Sequence, residues 1–158
     1  MHLQTAKRIN RMFREKKLTL SVAESCTGGL ISHYLTAIPG AGNFFVAGMV
    51  TYSAAAKKSI LGIRQRVFTT YGIVSRETAM QMAEKMRLLT RTDVALSTTG
   101  NLGPELLEGK AKGLVYIGIS TRKGTASLTC RFKGTRGQIK EKAVAAALDF
   151  LAGTIRDE

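Results

Sequence analysis

The sequence predicts a mixed α/β fold, a single domain over residues 1–158 built as a β-sheet flanked by helices. Three observations carry that reading. A basic amphipathic stretch opens the chain, short apolar runs then alternate with segments of helical periodicity, and two strand-like runs near the C-terminus are joined by a glycine-bearing turn. A length of 158 residues is enough for one hydrophobic core. Internal repeats, low-complexity tracts and linker-like segments are absent from the sequence.

The elements follow in order. Leu3, Ala6, Ile9 and Phe13 recur at helical spacing, with Lys7, Arg8, Arg11 and Arg14 on the other face, so the chain begins with an amphipathic helix. Leu18–Val22 reads as a strand, followed by a turn and a helix from Leu30 that ends near Pro39-Gly40. The continuous apolar run from Phe44 to Thr51 predicts a buried strand. Ser53 to Leu61 is a short helix stopped by Gly62. Ser75 is placed to cap a helix carrying Ala79, Met82, Ala83, Met86 and Leu89, where the methionine spacing suits core packing better than a ligand set. Asp93–Thr98 is a strand running into Gly100. Leu114–Thr121 and Ala126–Phe132 form a hairpin through Arg122-Lys123-Gly124-Thr125, and Arg136–Ile155 is the last helix.

Composition narrows the function. Apolar residues make up 44% and charged residues 22%, ordinary proportions for a globular protein. No apolar run approaches the roughly 20 residues that span a bilayer, and Met1–Lys17 lacks the apolar core of a secretory signal, so no membrane role is expected. Two cysteines, Cys26 and Cys130, without framework spacing point to reduced thiols and a cytoplasmic location. His2 and His33 are the only histidines, and no paired-cysteine motif accompanies them, so no metal site is proposed. The formal charge of +13 suggests either attraction to nucleic acid or a phosphorylated metabolite, or a solvated basic surface. With 6% aromatic residues and no stacking motif, the solvated surface is favoured over nucleic-acid binding.

The segment Ala23-Glu24-Ser25-Cys26-Thr27-Gly28-Gly29 reads as a tight turn between strand and helix. Such a turn offers hydroxyls and backbone N–H groups where positive potential favours an anion or an oxyanion. Ser25 is a candidate nucleophile; the alternative is that Ser25 and Thr27 only cap the helix. A thiol at Cys26, at a helix N-terminus, is a competing nucleophile. With His2 at a frayed terminus and His33 well along its helix, a Ser-His-Asp triad is a weak proposal. A Ser–Lys arrangement needs a desolvated lysine, and Lys57, behind three alanines, has that setting, whereas Lys58 points about 100° away towards solvent. Taken alone, Tyr52 and Lys57 also read as a strand-end tyrosine and an exposed helix lysine. Gly103 to Lys110 is not a P-loop: five residues separate its glycines, and Ala111 stands where Ser or Thr is required.

Together with Val50-Thr51-Tyr52-Ser53-Ala54-Ala55-Ala56-Lys57, the Ser25 segment resembles the CinA C-terminal-domain family, the bacterial nicotinamide-nucleotide amidases. Looser matches are Tyr71-Gly72-Ile73-Val74-Ser75-Arg76-Glu77, Thr99-Gly100 with Gly103-Pro104, Gly113-Leu114-Val115-Tyr116 and Gly134-Thr135-Arg136. The resemblance runs from about Leu18 to Leu151 and implies an α/β fold. It also implies Ser25 as nucleophile, Lys57 as general base and Tyr52 as a hydroxyl that orients or relays a proton. The activity so implied is deamidation of nicotinamide mononucleotide to nicotinic acid mononucleotide and ammonia, with no cofactor and no metal. Thr27, Gly28, Gly29, Gly100 and Arg136 are the matching substrate-binding positions, where Gly28 and Gly29 let backbone amides approach either the oxyanion or the nucleotide phosphate, and Arg136 either binds that phosphate or helps shape the pocket. A homo-oligomer, dimer or larger, is implied as well, and the chain resembles the stand-alone form of the family. A non-catalytic, competence-linked protein that binds nucleic acid is the alternative.

The chain departs from the family pattern on the substrate side. Leu102 replaces an alanine, Leu106-Leu107 stands where a glycine pair is usual, Thr135 replaces Asp, and Lys140 occupies a common arginine position. The loop Asn101 to Gly109 therefore bears on substrate range, and an amidase for another small substrate is a third reading.

Overall fold

The computed structural model describes residues 1–158. Helix α1 (His2–Lys16), strand β1 (Leu20–Glu24), helix α2 (Leu30–Thr36), a 3-10 turn (Ala41–Asn43) and strand β2 (Phe45–Val50) form the first part. Helices α3 (Ala54–Ser59), α4 (Gln65–Tyr71) and α5 (Arg76–Thr90) come next. They precede β3 (Val94–Gly100), the hairpin of β4 (Leu114–Thr121) and β5 (Gly124–Arg131), and helix α6 (Arg136–Asp157). The five strands form one sheet in the order β2-β1-β3-β4-β5, parallel across β2, β1 and β3 and antiparallel from β3 onward. The mixed sheet flanked by helices is the predicted class.

Apolar periodicity decides the layers. Ala6, Ile9 and Phe13 bury the inner stripe of α1 against Ile139, Ala143, Ala147 and Leu151 of α6, over the face of the sheet that carries Val22 and Leu96. Phe68, Met82 and Met86 cover the opposite face, against Ala23 and Ala95, so the methionines are core residues. Gly118 lets α5 lie on β4, because a β-carbon there would run into Ala79 O. Ser75 Oγ accepts from Thr78 N at the start of α5, and Thr135 with Gln138 makes a reciprocal capping box on α6. The threonine at position 135 thus keeps the capping role that an aspartate would have.

Several expectations need correction. Strand β1 begins two residues later than predicted, because Leu18 N still bonds Phe13 O in the C-terminal cap of α1. Thr19 is likewise held outside the strand, by Asp93 Oδ2. The apolar run at β2 forms an edge strand with alternate residues exposed, not a fully buried strand. Helix α4 was not anticipated, since only Phe68 of its residues is buried and no apolar stripe marks it. His2 is not frayed: its Nε2 sits 2.8 Å from Glu141 Oε2 and its ring packs on Tyr34. No helix is long and apolar enough to cross a membrane.

Topology then selects one end of the sheet. Glu24 pairs with both Val50 and Thr98, so β1 and its two parallel neighbours deliver their C-terminal ends to the same level. The connection from β1 to β2 passes over one face and the connection from β2 to β3 over the other, which opens a crevice at these ends where open α/β sheets bind ligands.

Candidate active site

Ser25 leaves the end of β1 with its amide bonded to Thr98 O at 3.0 Å and its carbonyl accepting from Gly28 N at 3.0 Å. The turn is therefore clamped on both sides of the hydroxyl. Lys57 reaches it from α3, whose start is fixed by Ser53 Oγ accepting from Ala56 N. Its Nζ lies 2.8 Å from Ser25 Oγ, 2.8 Å from Thr51 O and 3.1 Å from Tyr52 O. These three acceptors match the three donors of an ammonium, and none of them is a carboxylate. The side chain is 0% exposed, and burial pulls its pKa from 10.5 down to about 8, with Cys26 and Glu108 opposing the fall. Lys58 is exposed, as its place on the helix predicts.

Tyr52 contributes in an unforeseen way. Its carbonyl accepts from Lys57 and, at 3.4 Å, from Ser25 Oγ. Its hydroxyl instead accepts from Arg136 Nη2 at 2.8 Å, with the side chain 56% exposed at the mouth of the site. Arg136 stands on the first turn of α6 and also donates from Nη1 to Gly103 O at 2.7 Å. Ser25, Tyr52, Gly100 and Arg136 border one cavity of about 280 Å³, small for a ligand site. Gly100 is required there, because a β-carbon would press on Val115 and Leu114 O of the adjacent strand.

Thr27, Gly28 and Gly29 lie outside the lining of that cavity. The Thr27 hydroxyl is fully buried between Glu24 Oε2 and Thr98 Oγ1. Gly28 N is committed to Ser25 O, and Gly29 N to Glu24 Oε2. Both glycines have positive φ, 59° and 97°, so their freedom serves the turn itself. The amides of Cys26 and Thr27 are the ones in this turn left without a carbonyl or carboxylate acceptor. Cys26 also borders the cavity, but burial pushes its thiol up to about 12, which disfavours the thiolate. His33 is exposed on α2 and takes no part.

Sequence reasoning missed Glu24. Fully buried, it accepts through Oε2 from Thr27 Oγ1, Gly29 N and Ile31 N, and through Oε1 from Ser32 N and Oγ. An acidic residue just before a turn into a helix was the available signal, since a carboxylate satisfies the open N–H groups of the first turn. Asn101 was missed as well: its side chain binds Glu105 O, Lys110 O and Gly103 N and holds the divergent loop in shape.

The class is a mixed α/β sheet with a buried Ser–Lys pair at the C-terminal ends of its parallel strands. The chain belongs to the CinA C-terminal domain family, whose model matches residues 2–155. It is 48% identical over 145 residues to a competence-damage inducible protein of Caldicellulosiruptor saccharolyticus, covering 91% of this chain and 35% of that one. A CinA-like protein of Endomicrobium trichonymphae is 44% identical, covering 89% and 33%. The chain thus spans about a third of the length of these curated relatives. Among solved structures, the competence/damage inducible protein CihA of Agrobacterium tumefaciens superposes with a TM-score of 0.92 at 37% identity, covering 96% of this chain and 94% of that one. A CinA superfamily protein of Klebsiella pneumoniae gives 0.96 at 27% identity, covering 100% and 99%.

Proposed function

We propose that the chain is a serine–lysine amidohydrolase, acting in the cytoplasm on nicotinamide mononucleotide to release ammonia and nicotinic acid mononucleotide. The observation that carries this reading is the 2.8 Å contact between Lys57 Nζ and Ser25 Oγ in a shell without carboxylates. A buried lysine with a pKa near 8 holds a neutral fraction at physiological pH, and that fraction takes the Ser25 proton.

The proposed steps use the Ser25–Lys57 contact. As Lys57 accepts the proton, Ser25 Oγ bonds to the amide carbon, and negative charge develops on the carbonyl oxygen. The Cys26 amide, in the part of the turn that borders the cavity, is the donor offered to it. The Lys57 ammonium then protonates the amide nitrogen, the C–N bond breaks, and ammonia leaves an ester on Ser25. Water, deprotonated by Lys57, hydrolyses that ester and regenerates the hydroxyl. Tyr52 and Arg136 stand at the mouth, where the guanidinium attracts a phosphate and the phenol ring offers a face to a planar group.

Ammonia release from nicotinamide mononucleotide, measured beside Ser25→Ala and Lys57→Ala, tests the reading. Turnover by the wild type alone supports it; equal turnover by both variants overturns the mechanism, and no turnover by a folded wild type overturns the substrate.

A second reading has its own observation. Lys7, Arg11 and Arg14 line a groove of about 650 Å³ beside Ile38 and Pro39, at the opposite end of β2 from Ser25. Nucleic-acid binding through this face requires retention on DNA at low salt that falls steeply as salt rises. Absence of retention removes it.

A further inference from the structure

The loop from Asn101 to Gly113 forms much of the cavity wall, yet its outer contacts come down to a few bonds. The Glu108 carboxylate accepts from Ile73 N at 2.8 and 2.9 Å. Lys110 Nζ donates to Val74 O at 2.7 Å. Arg136 holds Gly103 O from the other side. Ile73 lines one wall of the cavity, and Leu106 and Leu107 line another, so the Glu108–Ile73 bond ties two walls of the site directly together.

Two backbone features are built around this contact. Glu108 adopts φ 56°, a left-handed conformation that costs energy for a residue with a side chain and persists where its surroundings over-determine it. Gly72, at φ 94°, leaves the space that the carboxylate enters: a β-carbon there would overlap Glu108 Oε2. The apolar tips of Leu106 and Leu107 gain nothing in the core, being 70% and 44% exposed. Their positions come from the loop's own bonds, Leu107 O accepting from Lys110 N and Asn101 holding Glu105 O and Lys110 O, together with the Glu108 contact to Ile73.

We propose that Glu108 is a positioning residue of the active site: by latching the 101–113 loop onto the turn at Gly72–Val74, it sets the size of the cavity over Ser25 and so the bulk of the acyl group admitted. This rests on the reading of Ser25 as the nucleophile. Leu106 and Leu107, held inward by the latch, exclude bulky acyl groups. Without the latch, Lys110 still reaches Val74 O and Arg136 still holds Gly103 O, so the stretch between those tethers that carries Leu106 and Leu107 loosens and the exclusion relaxes.

The test compares the rates at which Ser25 is labelled by a methyl-bearing fluorophosphonate and by one with a bulky aryl chain, followed by intact mass. The wild type favours the small probe. Glu108→Ala lowers that preference about tenfold or more, the equivalent of one lost charge-assisted hydrogen bond. Glu108→Gln keeps an acceptor oxygen for Ile73 N and lowers it less, which also serves if the alanine variant fails to fold. General loosening of the fold slows both labels alike, so an unchanged preference in the folded variants overturns the proposal. Absence of labelling by either probe in the wild type counts against Ser25 as nucleophile. In that case trypsin cleavage at Lys110 and Lys112 decides the latch by itself: cleavage about tenfold faster in Glu108→Ala upholds it, and equal rates overturn it.

Discussion

Lys57 Nζ sits 2.8 Å from Ser25 Oγ, and its other two partners are the backbone carbonyls of Thr51 and Tyr52. Carbonyl dipoles hold an ammonium in place without the full countercharge that would fix its proton. Desolvation therefore dominates, and the pKa falls to about 8. The proposed free-base role of Lys57 predicts that kcat/KM rises with pH and levels off above a single ionisation near pH 8. A pH profile of kcat/KM on the amide substrate, nicotinamide mononucleotide, reads this directly. A profile flat from pH 6 to 9 excludes Lys57 as the titrating base.

The same burial costs stability, and its sign is opposite to that of an ion-paired lysine. Lys57 titrates near 8 when folded and near 10.5 when unfolded. Below pH 8 both states are charged, and the folded state bears the whole penalty, about 3 kcal/mol at most. Between pH 8 and 10.5 the unfolded state holds the extra proton, so the penalty fades as pH rises. Lys57→Met loses the bonds to Ser25 Oγ, Thr51 O and Tyr52 O but removes the buried charge. At pH 7 it is expected to gain about 1–2 kcal/mol net, or roughly 3–6 °C in Tm for a chain of this size. Thermal unfolding at pH 7 and pH 10 checks both claims, since the gain must shrink at the higher pH. A variant less stable than wild type at pH 7 refutes the assignment of strain to Lys57.

Legibility from sequence varied with the physics behind each element. Helices α1, α5 and α6 were readable because their apolar residues repeat at helical spacing and bury as one stripe. Helix α4 buries only Phe68 and gives periodicity nothing to detect. The exposure of β2 was unreadable for another reason: an apolar run looks alike whether a strand is central or at an edge, and only topology decides. At the site, the residues resembling the family motif, Ser25 and Lys57, were placed together. At Thr27, Gly28 and Gly29 the bonds made inside the turn were not legible, because a turn motif does not say which hydroxyls and amides are already spent within it. Tyr52 shows the same limit, since its carbonyl touches the pair while its hydroxyl faces Arg136.

Glu24 explains why that turn can be so rigid, and it makes the sharpest structural prediction. Its two oxygens accept five hydrogen bonds from Thr27, Gly29, Ile31 and Ser32, so one carboxylate fastens the start of α2 to the end of β1 with Ser25 between them. A glutamine is isosteric but has one acceptor oxygen. Its NH₂ group must face either the Gly29 and Ile31 amides or the Ser32 amide, and donors meeting donors in a buried site cannot be relieved by water. Glu24→Gln is therefore expected to cost roughly 2–4 kcal/mol, beyond what a surface substitution costs. The turn relaxes as well, and Ser25 drifts from Lys57. A displacement of about 1 Å is enough to lower kcat by about 100-fold while KM changes little, because the mouth formed by Tyr52 and Arg136 lies on other elements. Denaturant unfolding and steady-state kinetics on the same preparation give both numbers. Wild-type stability together with wild-type kcat in Glu24→Gln shows that the turn holds Ser25 without this carboxylate.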